Sequence, residues 1–177
     1  MKHPATCALF LALFLTGCPQ GPVRAKFSLE EGAAFFDAPF PVFTRVRAGG
    51  TLDWSAFPNP ANNLAVTVYK AAADGGPPGA ANGGAIFLPF TGSIDPATLP
   101  ATPEESLAPE ASAFLIDVDP ASPERGRRLP LLAKFKPTGN ALRADHLLAL
   151  LPYPGVVLRP GTLYAAGVTR GVRDVQG

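Results

Sequence analysis

Cysteine is almost missing from this chain: Cys7 and Cys18 are the only two in 177 residues. Everything after Cys18 therefore lacks the thiols for a disulfide framework or a cysteine-based metal site. Histidine is as scarce, with His3 and His146 only, and one imidazole far from the N-terminus cannot assemble a zinc site. No charge of either sign dominates, since 15 Lys and Arg face 14 Asp and Glu. A nucleic-acid partner, which needs a basic face, is not expected. No Gly-X-Ser-X-Gly elbow occurs, so the nucleophile of an α/β-hydrolase is lacking. No apolar run reaches the roughly 20 residues of a membrane-spanning helix.

What is present begins at the N-terminus. Lys2 supplies a positive charge, an apolar run follows from Ala5 to Leu15, and the small residues Thr16 and Gly17 come next. A basic start, a short apolar stretch and a small-residue cleavage site form the pattern of a secretory signal, here residues 1–17. The segment Leu15-Thr16-Gly17-Cys18 resembles the lipobox of bacterial lipoproteins. That resemblance implies cleavage between Gly17 and Cys18, with a diacylglyceryl group on the Cys18 sulfur. Cys7 lies inside the apolar run with no pair of small residues before it, and it would be discarded with the signal. Two acyl chains hold a protein stably where one holds it marginally, so the expected partner is a membrane, reached through lipid on Cys18. Pro19 follows Cys18, and the absence of Asp there leans the sorting expectation toward the outer membrane.

Removing residues 1–17 from 177 leaves 160, enough for one domain with a real core. With Lys2 gone the basic count drops to 14, equal to the acidic count. The 21 Pro and 18 Gly fall just under the content that signals disorder, and twelve Phe oppose it. The composition describes a folded chain with many turns.

Residues 18–35 read as a lipid-anchored tether, opening on Pro19-Gln20-Gly21-Pro22. Phe35-Phe36-Asp37-Ala38-Pro39-Phe40-Pro41 is an extended or edge piece, because proline cannot donate in a central strand. An ordered loop carries Trp54 and Phe57, and the best helix candidate spans 62–73. There Leu64, Val68 and Ala72 share one stripe by i, i+4 spacing, although β-branched Val66, Thr67 and Val68 weaken the helix. Residues 74–84 are a Gly/Pro break. Five short strands are expected at 85–90, 113–119, 129–135, 146–151 and 162–169, with Phe114, Ile116 and Val118 on one face of the second. Strands punctuated by turns predict a mainly-β fold, specifically a sandwich over 36–177 with an irregular Pro/Gly-rich N-terminal segment.

Three pieces carry a further resemblance: Ile86-Phe87-Leu88-Pro89-Phe90-Thr91-Gly92-Ser93-Ile94-Asp95-Pro96-Ala97-Thr98-Leu99, the strand at 113–119, and the closing stretch 158–177 with Leu158-Arg159-Pro160-Gly161-Thr162-Leu163-Tyr164 and Val168-Thr169-Arg170-Gly171-Val172-Arg173-Asp174. Together they resemble a bacterial Ig-like domain, in the version found as the N-terminal domain of lipase-like (virulence-factor lipase) lipoproteins. The resemblance implies an Ig-like β-sandwich. In that family a hydrolase domain follows the closing glycine, so the end at Gly177 is expected to reflect a truncated product or fragment. In the motif, Asp95 is expected to accept nearby backbone N–H groups in a turn preset by Pro96. Tyr164 is expected to bury its ring and keep its hydroxyl on a polar partner.

Candidate sites beyond Cys18 are few. Asp117 and Asp119, with Glu124 nearby, offer weak calcium candidates, since that ion takes six to eight oxygens. The plainer alternative makes them outward acids at a strand end facing Arg125, Arg127 and Arg128. His146 reads as a partly buried structural residue, and Trp54 with the Phe cluster as core. No catalytic residue and no cofactor is expected. The sequence thus predicts a lipid-anchored envelope protein with a non-catalytic Ig-like module. The alternative is the N-terminal piece of a secreted lipase-like hydrolase.

Overall fold

The computed structural model describes residues 22–28, 30 and 32–176. Its regular elements are helix α1 (Leu64–Asp74) and strands β1 (Ile86–Pro89), β2 (Ala113–Asp117), β3 (Arg128–Leu129), β4 (Leu131–Lys136), β5 (Leu147–Pro152) and β6 (Tyr164–Val168). The fold is mainly β. Two antiparallel three-stranded sheets form, ordered β1-β5-β4 and β3-β2-β6.

Alternation along the strands explains how the sheets meet. Leu88, Leu131, Leu148 and Leu150 of the first sheet join Ala113, Leu115 and Leu129 of the second in one buried cluster. Ile94, Leu99 and Leu158 close it from the connecting loops. In β2 the inward residues are Ala113, Leu115 and Asp117. The expected apolar face of Phe114 and Ile116 is therefore the outer, half-buried one. Phe114 lies against the glycine backbone of Gly167, and the Arg128 guanidinium sits 4.9 Å from its ring centroid.

The strand expected as one piece over 129–135 is two. β3 pairs with β2 and β4 pairs with β5, so the chain changes sheets at Pro130. Proline suits that corner because it has no N–H to place in either ladder, while its carbonyl accepts from Tyr153 N–H at 2.9 Å.

The first sheet is covered in part on its other face as well, over β1 and the start of β5, while Leu132 and Lys134 of β4 stay exposed. Leu147, on the opposite side of β5 from Leu148, is 2% exposed, and Phe87 projects the same way. Against them lies a second, aromatic cluster: Phe35, Phe40 and Leu52, with Phe36, Trp54 and Phe57 packed around it. Residue Phe40 is bridged directly to Phe87, with mutual N–H···O bonds of 2.9 and 2.8 Å. The chain also joins the sheet earlier than a tether over 18–35 would. Arg24 N–H donates to Thr91 Oγ1 at 2.9 Å, Ala25 bridges Phe90, and Lys26 N–H donates to the Pro89 carbonyl at 2.8 Å.

Helix α1 forms as expected, capped by Asn63, whose Oδ1 accepts from Ala65 N–H at 2.9 Å. Its expected apolar stripe does not meet the core. Leu64 is 76% and Val68 58% exposed, and Ala72 is exposed too. Polar bonds fix the opposite face instead. Lys70 Nζ donates to the Ser55 and Phe57 carbonyls at 2.8 and 2.9 Å, and Asp74 Oδ1 accepts from Trp54 N–H at 3.2 Å. Those bonds outweigh a stripe that buries no residue.

Because Leu148 is wholly buried between the sheets, Leu148→Ala is expected to cost about 2–5 kcal/mol in urea denaturation. Leu64→Ala on the open face of α1 is expected to stay within about 0.5 kcal/mol of the native protein.

Candidate functional site

Gly17 and Cys18 lie outside the described residues, and the expectation on them is carried by sequence alone. The other candidates can be followed through the fold.

Asp117 closes the hairpin between β2 and β3. It is 2% exposed, so it is not an outward acid, and two of the three arginines expected to face it turn elsewhere. Arg127 pairs with Glu124, and Arg128 donates to the carbonyls of Ala108 and Pro109. Asp117 Oδ1 accepts from Asp119 N–H at 3.0 Å and Oδ2 from the Ser122 hydroxyl at 2.6 Å. Asp119 Oδ1 accepts from Ala121 N–H at 2.8 Å and Oδ2 from Leu163 N–H at 3.1 Å. All four carboxylate oxygens thus hold loops, one of them tying the hairpin to the start of β6. Among the described residues no group of three or more His, Cys, Asp or Glu is placed to hold a metal ion.

His146 stands just before β5 with φ of 54°, in the left-handed region. Its N–H donates to the Pro137 carbonyl, its carbonyl accepts from Phe90 N–H at 2.9 Å, and its ring Nδ1 shares a hydrogen bond with Ser93 Oγ at 3.2 Å. A serine beside an imidazole is the start of a nucleophile–base pair, but a triad also orients the base through an acid. Among the described residues no carboxylate bonds the other ring nitrogen of His146. The pair also lines neither of the cavities described next. The geometry ties a strained residue to its neighbouring loop.

Two cavities flank the aromatic layer. One, of about 430 Å³, has a mixed polar and apolar lining, with Ser28, Glu30, Thr44, Arg45 and Asp53 on its walls. Two of its charged groups, Arg45 and Asp53, are engaged. Arg45 donates to the Ala33 and Ala34 carbonyls and lies 5.0 Å from the Phe35 ring centroid. Asp53 is held below its ordinary pKa, first by the Ser55 N–H at 2.9 Å and then by further bonds, including that from Arg47 at 2.8 Å. The second cavity, of about 260 Å³, opens on the aromatic cluster itself. Phe36, Trp54 and Phe57 form one wall, Phe87 and Leu147 the floor, and Leu142 and Arg143 the far rim.

That rim belongs to the turn between β4 and β5, which the sequence reading passed over. The signal was Pro137-Thr138-Gly139-Asn140, a turn-forming string. Asn140 and Arg143 bond each other's backbone, and Gly139 N–H donates to Asp145 Oδ1 at 2.6 Å. A Cβ at Gly139 would sit 2.3 Å from the Arg143 carbonyl oxygen, so only glycine permits this close return.

Neither a protein-family model nor a curated protein nor a solved structure matches this chain.

The hairpin acid gives a direct check. Asp117→Ala removes the acceptors of Ser122 and Asp119 and is expected to cost about 1–3 kcal/mol in urea denaturation. Glu124→Ala, which breaks surface pairs with Arg127 and Arg159, is expected to cost about 0–1 kcal/mol.

Proposed function

We propose that this chain is a lipid-anchored lipoprotein of the bacterial cell envelope whose folded part is a non-catalytic Ig-like module. The observation that carries the reading is Leu15-Thr16-Gly17-Cys18 at the end of an apolar run headed by Lys2. In it, the Gly17–Cys18 bond is cut and a diacylglyceryl thioether on Cys18 holds the protein, with Pro19 favouring the outer membrane. Chain pairing with the sheet begins at Arg24, and an extended chain reaches at most about 3.6 Å per residue. The six steps from Cys18 to Arg24 therefore span no more than about 22 Å, and the module rides close to the bilayer.

Two features support an Ig-like reading of the fold. Two antiparallel sheets share one core, and Tyr164, at the start of β6, accepts from Arg159 N–H at 3.0 Å through its hydroxyl. A tyrosine at a strand start bonded to backbone a few residues upstream is the tyrosine corner of Ig-like sandwiches. Such a module supports, spaces or binds at the cell surface. A second reading, favoured by the motif over 158–177, makes it the N-terminal domain of a secreted lipase-like hydrolase. An in-frame Gly-X-Ser-X-Gly after codon 177 would establish that alternative.

Intact-mass analysis of membrane-extracted protein tests the anchor. The native chain is expected to start at Cys18 and carry a diacylglyceryl group, with or without a further acyl chain, and Cys18→Ala to carry none. An unmodified native chain overturns the proposal.

A further inference from the structure

We propose that the outer edge of β6 pairs antiparallel with the same edge of a second copy of this chain. Edge strands expose unpaired N–H and C=O groups, and proteins normally cover, shorten or charge them. The other edges of this fold are managed in those ways. β1 is bridged along its outer side by Ala25 and Phe40. β3 is two residues long and carries Arg128. β4 carries Lys134 and Lys136, and its Leu131 N–H donates to Ser106 Oγ at 3.0 Å. β6, in contrast, reads Tyr-Ala-Ala-Gly-Val, with no charge and no proline, and every residue in it keeps partial exposure.

The ladder to β2 shows which backbone groups are open. Val118 N–H donates to the Leu163 carbonyl and Thr169 N–H to the Ser112 carbonyl. Residues 163, 165, 167 and 169 therefore turn their backbone groups toward β2, and Tyr164, Ala166 and Val168 turn theirs away from it. No hydrogen bond reaches those outward N–H and C=O groups among the described residues. The row is complementary to itself. In an antiparallel pair centred on Ala166, Ala166 meets Ala166 and Tyr164 meets Val168, so each open residue exchanges both of its bonds. Ala165 then meets Gly167, and these small side chains let the backbones approach. Arg170 meets Thr162, so no like charges stand opposite each other from Gly161 to Gly171. Leu163, 59% exposed at the entrance to β6, gains cover beside Thr169 of the second copy. The pairing rests on the edge alone and holds with or without lipid on Cys18.

The full chain in detergent micelles, with reductant present, is weighed by light scattering over a range of concentrations. The native chain is expected to rise saturably to the mass of a dimer. Ala166→Pro deletes an outward N–H while leaving the bonds to β2, the placement in which a strand accepts proline. It is expected to weaken the dimer at least about tenfold. Ala165→Lys sets two ammonium groups diagonally across one face of the joint and is expected to weaken it too. Both variants are checked for native circular dichroism, and if Ala166→Pro does not fold, Ala165→Lys decides. Amide hydrogen exchange of the native chain gives a measure independent of either variant: exchange at Tyr164, Ala166 and Val168 is expected to slow as concentration rises. A monomer at every concentration overturns the proposal. So does a dimer that the folded variants retain, or one that leaves exchange at those three amides unchanged, since it uses another surface or merely shares a micelle.

Discussion

Burial of the central strand β5 on both faces at its start is the constraint on which the rest of this structure depends. β5 lies between β1 and β4, and its Leu-Leu-Ala-Leu-Leu run has no polar residue to offer solvent on either side. Leu148 and Leu150 face the second sheet, and Leu147 faces the aromatic layer. Two layers must therefore be supplied from elsewhere in the chain. β2, β3 and β6 supply one, and the segment from Phe35 to Phe57 supplies the other. Without cysteines to cross-link the folded part, apolar contact across these two interfaces is what holds it together.

Polar groups then decide how the loops reach that sheet. Buried Asp117 satisfies the turn that returns β2 to β3, and Asp119 ties the same turn to β6. Lys70 and Asp74 fasten α1 to the loop carrying Trp54 and Phe57. The Gly139 turn places Arg143 over the aromatic layer.

Strand positions were legible because their signals are local. The strands expected at 85–90, 113–119, 146–151 and 162–169 correspond to β1, β2, β5 and β6, with boundaries agreeing to within two residues. Asp95 accepts from Ala97 N–H as the Asp-Pro pair implied, and the Tyr164 hydroxyl found its backbone partner. Less legible were features set by contacts distant in sequence. Leu129 and Leu131 have the same chemistry, and only the partners waiting in each sheet assign them to different ladders across Pro130. The helix stripe of Leu64 and Val68 satisfied periodicity, yet Lys70 and Asp74 turned it outward by bonding loop atoms that no spacing rule reveals. Asp117 followed the inward alternation of Ala113 and Leu115 because its own loop satisfies its charge. Arg143 stood out in no motif, since its setting arises from rings far earlier in the chain, between Phe35 and Phe87.

The sheet shared by two layers makes a direct demand on unfolding. Urea denaturation of the full chain, followed by Trp54 emission for the aromatic layer and by far-ultraviolet circular dichroism for the sheets, tests it. If both layers depend on the same buried sheet, the two transitions coincide at one midpoint. A Trp54 transition completed at lower urea than the loss of β-structure would contradict this account, and would mean that the aromatic layer is an appendage to a sheet stable without it.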